Sequence, residues 1–270
     1  MRATGLGLSF LLLLGVLAPS VAAGARSHWS PATQSQLRLL LGGAENGRLL
    51  GGIEILLEPG WYTYWRNPGE AGVPPVFDFS RSENIAAVEV LYPTPERYDD
   101  GSSISLIYRD EIVFPLVITP VDAATAVHLT VEARYGVCRE VCIPTEAAVS
   151  LSQPAWPDAD PLAEARLQKF ASKVPKPPQP GRFDVENVVI SGEDLVIDVR
   201  MPDSSYSDLF AVPPAGWFTG QPTLVAREDG VSRYRLDLVG RPKDETITGQ
   251  RFRFVSVAGG EAIEEEIEIR

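Results

Sequence analysis

The chain is organised around the stretch Tyr135-Gly136-Val137-Cys138-Arg139-Glu140-Val141-Cys142-Ile143-Pro144. This stretch holds both cysteines of the 270-residue sequence, with three residues between them. In an extended strand, residues four apart lie roughly 13 Å from each other at ~3.3 Å per residue. A disulfide needs Cα atoms within about 7 Å. The two sulfurs can therefore bond only if the backbone turns here, as a tight bend or one helical turn. Pro144 is expected to end that bend, because it cannot continue a helix or a central ladder.

A bridge across so short a loop would stabilise the fold little. The loop-entropy model gives only about 2 kcal/mol for a ring of this size, before any strain is subtracted. Such a bridge is better suited to being opened and closed, so we favour a redox-active pair. Two alternatives stay open at this point: a structural disulfide of an exported protein, and a Cu(I) site with two thiolate ligands.

The composition is that of an acidic globular protein. A net charge of −12 repels nucleic acid and anionic lipid, which excludes both as main partners. A hydrophobic content of 44% is enough to build real cores, and 270 residues suggest one large or two smaller domains. With 23 glycines and 23 prolines, many turns and few long helices are expected.

The first 25 residues read as a cleavable export signal. Arg2 supplies the positive start, Leu6 to Ala18 is the apolar run, and small residues allow cleavage after Ala23 or Ala25. No other stretch approaches the length of a membrane span. We therefore predict a mature chain without a membrane span, in an oxidising compartment outside the cytoplasm.

The next part, residues 33–153, predicts an antiparallel β-sandwich. Short β-prone runs are separated by turn residues, with no helix between them. The runs are 36–41, 49–57, 61–66, 76–79, 88–92, 105–109, 112–118, 127–132 and 147–151. Gly51-Gly52 suggests a bulge inside the second run. In the run 127–132, alternation places His128 on the polar face, where a solvated side chain is expected rather than a ligand.

An aromatic run, Trp61-Tyr62-Thr63-Tyr64-Trp65, lies in the third of these strands. Alternation places the two tryptophans and the threonine on one face and the two tyrosines on the other. The tryptophans are expected to pack in the core. Tyr62 and Tyr64 are candidates for lining a site.

Residues 154–181 read as a connector and residues 182–270 as a second, smaller β-sandwich. Asp160 can cap a helix that begins at Pro161, and a proline-rich spacer follows that helix. The strands predicted in the second domain are 185–190, 195–200, 223–226, 234–239, 251–257 and 263–269. This domain has no cysteine and no histidine, and we find no catalytic constellation in it.

The sequence lacks the motifs of several common classes of enzymes and binding sites. It has no glycine-rich phosphate loop, no dinucleotide fingerprint and no Gly-x-Ser-x-Gly elbow. The two histidines, His28 and His128, are far apart, which disfavours a zinc site or a Cys/His hydrolase. No cofactor and no metal are expected, so the chemistry rests on the two sulfurs.

Four segments resemble a known family: Gly60-Trp61-Tyr62-Thr63-Tyr64-Trp65-Arg66, Ile107-Tyr108-Arg109-Asp110, Phe114-Pro115 and Cys138-Arg139-Glu140-Val141-Cys142-Ile143-Pro144. In order and spacing they resemble the N-terminal (alpha) domain of the DsbD family of bacterial thiol:disulfide interchange proteins. The resemblance covers roughly residues 36–151. It includes the ScsB forms, which have this shorter cysteine spacing and a second β domain.

The resemblance implies an immunoglobulin-like sandwich in the periplasm that receives electrons from a membrane reductase and passes them to periplasmic oxidoreductases. The cysteine followed by residue-Pro forms mixed disulfides in this family, which corresponds to Cys142. Cys138 would be the resolving partner. The expected activity resembles that of a protein-disulfide reductase.

The resemblance also implies an aromatic-tipped cap loop over the cysteine pair. The stretch Arg97-Tyr98-Asp99-Asp100-Gly101 stands at the corresponding place, with Tyr98 as the candidate shield. Tyr62 and Tyr64 fall where aromatic residues of the family neighbour the site, and Pro144 completes the set of site-lining candidates.

Two departures from the family pattern bear on function. Five residues separate the cysteines in the best-known members, against three here. The sequence also has no multi-helix membrane part and no Cys-x-x-Cys thioredoxin domain. Electrons would therefore come from a separate membrane thiol reductase, and thioredoxin-like periplasmic proteins are the expected partners.

Two alternatives to thiol–disulfide exchange remain. One is a non-catalytic binding module with a structural disulfide. The other is a Cu(I)-binding copper-tolerance protein, although 2 methionines and 2 histidines are few for a dedicated copper carrier.

Overall fold

The computed structural model describes residues 25–154 and 160–270, so the export signal predicted at 1–25 falls almost entirely outside the described range. The described residues form antiparallel β-sheets and one short helix. The predicted all-β class, with immunoglobulin-like sandwiches, is confirmed.

An N-terminal sandwich contains the candidate site. Its strands are β1 (Ser30–Ala32), β2 (Ser35–Glu45), β3 (Arg48–Leu57), β4 (Tyr62–Gly69), β5 (Val76–Asp78), β6 (Ile85–Val90), β7 (Glu96–Asp99), β8 (Ile104–Arg109), β9 (Glu111–Pro120), β10 (Val127–Cys138) and β11 (Cys142–Gln153). One sheet has the order β1-β2-β3-β9-β6. The other has the order β11-β10-β4-β8-β7, with β5 also paired to β10.

The core of this sandwich follows from alternation along the strands. In β10, Val127, Leu129 and Val131 are buried. His128 lies on the opposite face, with its Nδ1 2.6 Å from the hydroxyl of Ser152. Each fully buried aliphatic side chain contributes roughly 1.5–3 kcal/mol to folding. The strand is therefore held to the core by one face, which fixes its register.

The prediction of a bulge at Gly51-Gly52 is wrong. These glycines pair regularly with β2, and the irregularity lies in β2 itself, between Leu41 and Ala44. Gly52 serves close packing instead, because a Cβ there would lie 2.7 Å from Cδ2 of Leu167. The Gly-Gly pair in the sequence correctly indicated an irregularity in this pair of strands, but it could not show that β2 carries the extra residue.

Helix α1 (Pro161–Ala171) follows the N-terminal sandwich. The Asp160 carboxylate accepts hydrogen bonds from the backbone N–H groups of Leu162 and Ala163, as an N-cap does. Leu167 and Phe170 are buried, and both pack into the sandwich core. The helix is therefore a cover for the first sheet.

Ion pairs hold the helix to β9. Arg166 Nη2 lies 2.7 Å from Glu111 Oε2, and Lys169 Nζ lies 2.5 Å from Glu111 Oε1. Hydrogen bonds from Lys169 and then Arg166 lower the pKa of Glu111 below its usual value of 4.5. Arg166 also pairs with Glu54, which is 1% exposed and is bound by Arg38 as well.

We expect acid to weaken this attachment. A carboxyl whose pKa is lowered by folding stabilises the native state above its unfolded pKa, and that contribution is lost as the pH falls through the native pKa. Urea unfolding midpoints should therefore drop between about pH 4.5 and pH 3, with Glu111 contributing about 1 kcal/mol or less. The Glu111→Gln variant should show a smaller drop over the same range. An identical drop in both proteins would contradict the assignment to Glu111.

A C-terminal sandwich follows a proline-rich segment. Its strands are β12 (Asp184–Ser191), β13 (Asp194–Arg200), β14 (Ser207–Val212), β15 (Thr223–Glu228), β16 (Val231–Asp237), β17 (Arg251–Ala258) and β18 (Glu261–Glu268). They form sheets of order β12-β13-β16-β15 and β14-β17-β18. The proline-rich segment itself pairs with β18, because the N–H of Lys176 donates to the carbonyl of Ala262 at 2.9 Å.

Strand β14 was not predicted from the sequence. It is six residues long, follows a Ser/Asp-rich turn and ends just before Pro213-Pro214. These turn residues mask its short apolar run, Leu209-Phe210-Ala211, which is buried. The omission matters because β14 is one of the strands that contact the N-terminal sandwich.

The C-terminal sandwich has a core of its own, and the core of the N-terminal sandwich extends onto one of its faces. Phe210, Val255 and Val257 of the C-terminal sandwich pack with the core cluster of the N-terminal one. The rings of Trp65 and Phe210 have centroids 6.1 Å apart. Because apolar surface of both sandwiches is buried in this contact, the contact between them contributes to the stability of the fold.

Candidate functional site

A β-hairpin brings the two cysteines together. Strands β10 and β11 pair in a register that places Cys138 directly opposite Cys142, with Arg139 to Val141 as the tip. The sulfurs are joined in a disulfide with an Sγ–Sγ distance of 2.08 Å and Cα atoms 4.2 Å apart. The bend that the sequence requires is therefore the turn of a hairpin rather than a helical turn.

Pro144 does not end the bend. It lies inside β11, opposite Gly136, and its side chain is exposed. β11 is the edge strand of its sheet, and a proline is tolerated at an edge because its missing N–H can face outward. Pro144 thus lies beside the cysteine pair but outside the aromatic cluster described below.

The two cysteines differ sharply in exposure. Cys138 is completely buried, whereas Cys142 is exposed. A disulfide is opened by a thiolate that reaches one of its sulfurs. Of the two cysteines only Cys142 is exposed, so we expect a visiting thiol to bond to Cys142 and Cys138 to leave.

The hydroxyl of Tyr64 contacts both sulfurs. Its Oη lies 2.9 Å from Cys138 Sγ and 3.0 Å from Cys142 Sγ. Burial raises the pKa of the Tyr64 phenol, and the neighbouring Tyr62 raises it further. The hydroxyl therefore remains protonated through the physiological range and can donate a hydrogen bond to a sulfur.

Two glycines hold the Tyr64 ring in place. A Cβ on Gly72 would lie 2.3 Å from Tyr64 Cε1, and a Cβ on Gly136 would lie 3.1 Å from Tyr64 Cε2. Gly72 also has a φ of +136°, a backbone conformation that side-chain-bearing residues rarely adopt. The ring is thus sandwiched between two backbone segments, and this fixes the direction of its hydroxyl.

Further aromatic rings cover this arrangement. Tyr62, Tyr64, Ile107 and Cys138 form a buried cluster of their own, against which Tyr98 packs. The ring centroids of Tyr62 and Tyr98 are 5.4 Å apart, and those of Tyr62 and Tyr64 are 5.7 Å apart. Desolvation by burial raises the pKa of Tyr62 as well. The cluster is uncharged and largely dry on the side of Cys138.

Arg109 lies over the outer rings of the cluster. Its guanidinium carbon is 4.6 Å from the Tyr98 ring centroid and 5.9 Å from that of Tyr62. Its Nε lies 3.0 Å from a carboxylate oxygen of Glu96 on the neighbouring strand. Cation–π contact of this kind contributes about 0.5–1 kcal/mol at an exposed position.

The structure therefore brings together most of the predicted site residues and adds others. Cys138, Cys142, Tyr62, Tyr64 and Tyr98 lie together. The added residues are Gly72, Ile107, Arg109 and Gly136. Ile107 and Arg109 stand in segments that carry the family resemblance, and Gly136 stands in the stretch that holds the cysteines, so the sequence offered a signal for these three residues. Gly72 stands in a Gly/Pro-rich loop, where the sequence offered none.

Residues 25–154 and 160–270 contain no group of three or more His, Cys, Asp or Glu side chains arranged to hold a metal ion. Within those ranges, no helix has the length and apolar character that a membrane crossing requires.

Comparison with known proteins agrees with this geometry. Residues 43–154 match the model of the family described as "Thiol:disulfide interchange protein DsbD, N-terminal". This part of the chain belongs to the DsbD N-terminal family. The match spans most of the N-terminal sandwich, including both cysteines and the three tyrosines Tyr62, Tyr64 and Tyr98.

A solved structure extends the likeness beyond that domain. The crystal structure of the N-terminal periplasmic domain of ScsB from Proteus mirabilis superposes with a TM-score of 0.74 at 25% sequence identity, over 91% of this chain and 98% of that one. A match of this extent includes the C-terminal sandwich. No curated protein sequence matches the chain significantly.

Proposed function

We propose that this protein is a periplasmic thiol–disulfide exchange protein that carries electrons from a separate membrane thiol reductase to thioredoxin-like periplasmic partners through Cys138 and Cys142. The observation that carries the proposal is the asymmetry of the bridge. Cys142 is an exposed residue, whereas Cys138 is fully buried, with its sulfur against a hydroxyl that can stabilise it as a thiolate.

The exchange would proceed in two steps. In the reduced protein, the Cys142 thiolate attacks a sulfur of the partner disulfide, forming a mixed disulfide and releasing one partner thiolate. The Cys138 thiolate then attacks the Cys142 sulfur, which closes the bridge and releases the second partner thiolate. Two electrons pass to the partner, and its two thiolates take up protons as their pKa values and the pH dictate.

Loading would run through the same steps in reverse. A thiolate of the reductase attacks Cys142 Sγ, and the bond to Cys138 breaks. Negative charge develops on Cys138 Sγ, to which the Tyr64 hydroxyl is already directed at 2.9 Å. A donor fixed before charge develops stabilises the transition state without reorganisation.

The aromatic cluster would control access to the pair. In this proposal Tyr98 shields the buried side of the bridge, at Cys138, from small oxidants and thiols, and Tyr62 supports it by ring contact. Placement in the periplasm agrees with the bonded state of the cysteines, since disulfides persist in oxidising compartments. It also agrees with the periplasmic origin of the similar ScsB domain.

Trapping of a mixed disulfide tests this function. Reduced Cys138→Ser protein, mixed with an oxidised thioredoxin-fold protein, should accumulate a covalent complex through Cys142, because no resolving thiol remains. Cys142→Ser should give at least about tenfold less complex, since the remaining Cys138 is buried. Non-reducing electrophoresis and mass spectrometry of the joined peptides read the result.

Two outcomes would reject the proposal. One is equal trapping by both variants, which would remove the distinction between the sulfurs. The other is no trapping at all together with a bridge potential well below about −300 mV, the range of structural disulfides. The second outcome would favour a binding module whose disulfide is structural.

A further inference from the structure

Strand β7 presents two neighbouring side chains to opposite sides. Tyr98 packs against the tyrosine cluster at the cysteine pair. Arg97, one residue earlier, contacts the C-terminal sandwich. Successive side chains of a strand point to opposite faces, so the two residues contact different parts of the protein. Because they are neighbours on one backbone, contacts that hold Arg97 in place also hold Tyr98 in place.

Arg97 is held by several acceptors of the C-terminal sandwich. Its Nε and Nη2 lie 2.8 and 2.7 Å from the two carboxylate oxygens of Asp208. Its Nη2 also lies 3.0 Å from the carbonyl of Leu209 and 3.3 Å from that of Pro222. The side chains of Arg97 and Asp208 are only 22% and 12% exposed, so water competes weakly. A bidentate guanidinium–carboxylate pair sets orientation as well as distance.

The same strand of the C-terminal sandwich also holds β4. The amide of Asn67 donates to the carbonyl of Ala211 at 2.6 Å. Trp65 packs on Phe210, over which Arg97 also lies at 5.6 Å. β4 carries Tyr62 and Tyr64. Strand β14 therefore contacts both strands whose tyrosines surround the cysteine pair.

We propose that the C-terminal sandwich is a positioning element for the redox site, acting through the Arg97–Asp208 pair. The pair holds β7 so that Tyr98 stays packed on the cluster that buries Cys138, and its release loosens that cluster, so that an attacking thiol opens the bridge more readily. This inference rests on the proposed function for its biological meaning. Arg97 and Asp208 touch neither sulfur in this arrangement, so they are positioning residues and not catalytic ones.

The test measures how fast a small thiol opens the bridge. Oxidised full-length protein is reduced with dithiothreitol, and free thiols are followed over time. Arg97→Met keeps the length of the side chain but removes the ion pair, and it should raise the rate at least about tenfold, which corresponds to the loss of one charge-assisted hydrogen bond. Asp208→Asn should also raise the rate of reduction, and it replaces Arg97→Met as the test if that variant folds poorly.

A matched control lies in the same sandwich. Arg233 and Asp198 form another bidentate pair, at 2.6 and 3.0 Å, away from the site. Arg233→Met should leave the rate of reduction at the wild-type value. This control separates release of the cap from a general loss of stability in the C-terminal sandwich.

A second readout separates positioning from simple destabilisation. Tyr98→Ala should itself speed reduction, and Arg97→Met added to it should cause no further increase, because the tether acts through Tyr98. Wild-type rates in Arg97→Met and Asp208→Asn, or effects that multiply in the Arg97→Met/Tyr98→Ala protein, would overturn the inference. Dithiothreitol needs no physiological partner, so failure of the trapping experiment and failure of this one are distinguishable.

Discussion

Tyr64→Phe is expected to slow reduction of the Cys138–Cys142 bridge roughly 10- to 100-fold at neutral pH. The variant keeps the ring that fills the space between Gly72 and Gly136 and removes only the hydroxyl that lies 2.9 Å from Cys138 Sγ. When a thiolate attacks Cys142, Cys138 leaves with a negative charge. A hydrogen bond to a charged group is worth about 1.5–3 kcal/mol, which sets the size of the effect.

The same substitution should shift the redox equilibrium. The hydroxyl bonds a thiolate more strongly than a disulfide sulfur, so its loss destabilises the reduced protein. The midpoint potential should fall by about 30 mV for each 1.4 kcal/mol lost. Equilibration with glutathione or dithiothreitol, followed by alkylation and mass spectrometry, measures it.

Tyr135→Phe is the control for a lost buried hydroxyl. Tyr135 lies on β10, the strand that ends in Cys138, and its hydroxyl is 2.9 Å from that of Ser35 instead of a sulfur. Its rate and potential should remain close to the wild-type values, although its stability should fall by about 1 kcal/mol. If Tyr64→Phe and Tyr135→Phe react alike, the hydroxyl of Tyr64 has no special part in exchange.

The effect of the Tyr64 hydroxyl on the rate of reduction should not be lost as the pH rises. Burial raises the pKa of Tyr64 above the ordinary phenol value of 10.0. The hydroxyl therefore keeps its proton throughout the range in which thiols ionise, and its contribution to exchange should persist into mildly alkaline solution. The ratio of wild-type to Tyr64→Phe rates should accordingly stay large as the pH rises from about 7 to 9, a range bounded above by the usual phenol pKa.

The features of this site that the sequence could predict are those that depend on the geometry of one or two strands. The cysteine spacing demands a turn, and alternation in Trp61 to Trp65 assigns the tyrosines to one face and the tryptophans to the other. In the structure Tyr64 meets the sulfurs, whereas Trp65 is fully buried against the C-terminal sandwich. Both inferences need only the geometry of one or two strands, which a short stretch of sequence determines.

What the sequence could not predict depends on partners far along the chain. Arg97 reads as part of a polar loop until β14, 111 residues later, places Asp208 beside it. Gly72 reads as a loop glycine until the Tyr64 ring is packed on it. Pairing across such distances is set by how whole sheets stack, and no local propensity encodes it. The residues that hold the site in place are thus harder to predict than those that react.

Gly72→Ala is expected to destabilise the protein by about 2–6 kcal/mol and to disturb the site at the same time. The φ of +136° at Gly72 is unfavourable for any residue with a Cβ, at a cost of about 1–3 kcal/mol. The new Cβ would also lie 2.3 Å from Cε1 of Tyr64. Overpacking of this kind adds about 1–3 kcal/mol. Urea unfolding at constant pH measures the sum.

Gly101→Ala isolates the backbone part of that cost. Gly101 has a φ of +84°, and a Cβ there meets nothing within 4 Å. It should therefore cost only about 1–2 kcal/mol, from backbone strain alone. The difference between the two variants measures the contact with the Tyr64 ring.

A double-mutant cycle then decides whether Gly72 is needed to leave space for the Tyr64 ring or only to form a strained turn. In a Tyr64→Ala background the clash is absent, so Gly72→Ala should cost no more than Gly101→Ala does. Because the ring direction aims the hydroxyl at Cys138, Gly72→Ala in the wild-type background should also slow reduction of the bridge, as Tyr64→Phe does. Full additivity in the cycle, or an unchanged rate of reduction, would show that the close approach of Gly72 has no part in orienting the hydroxyl.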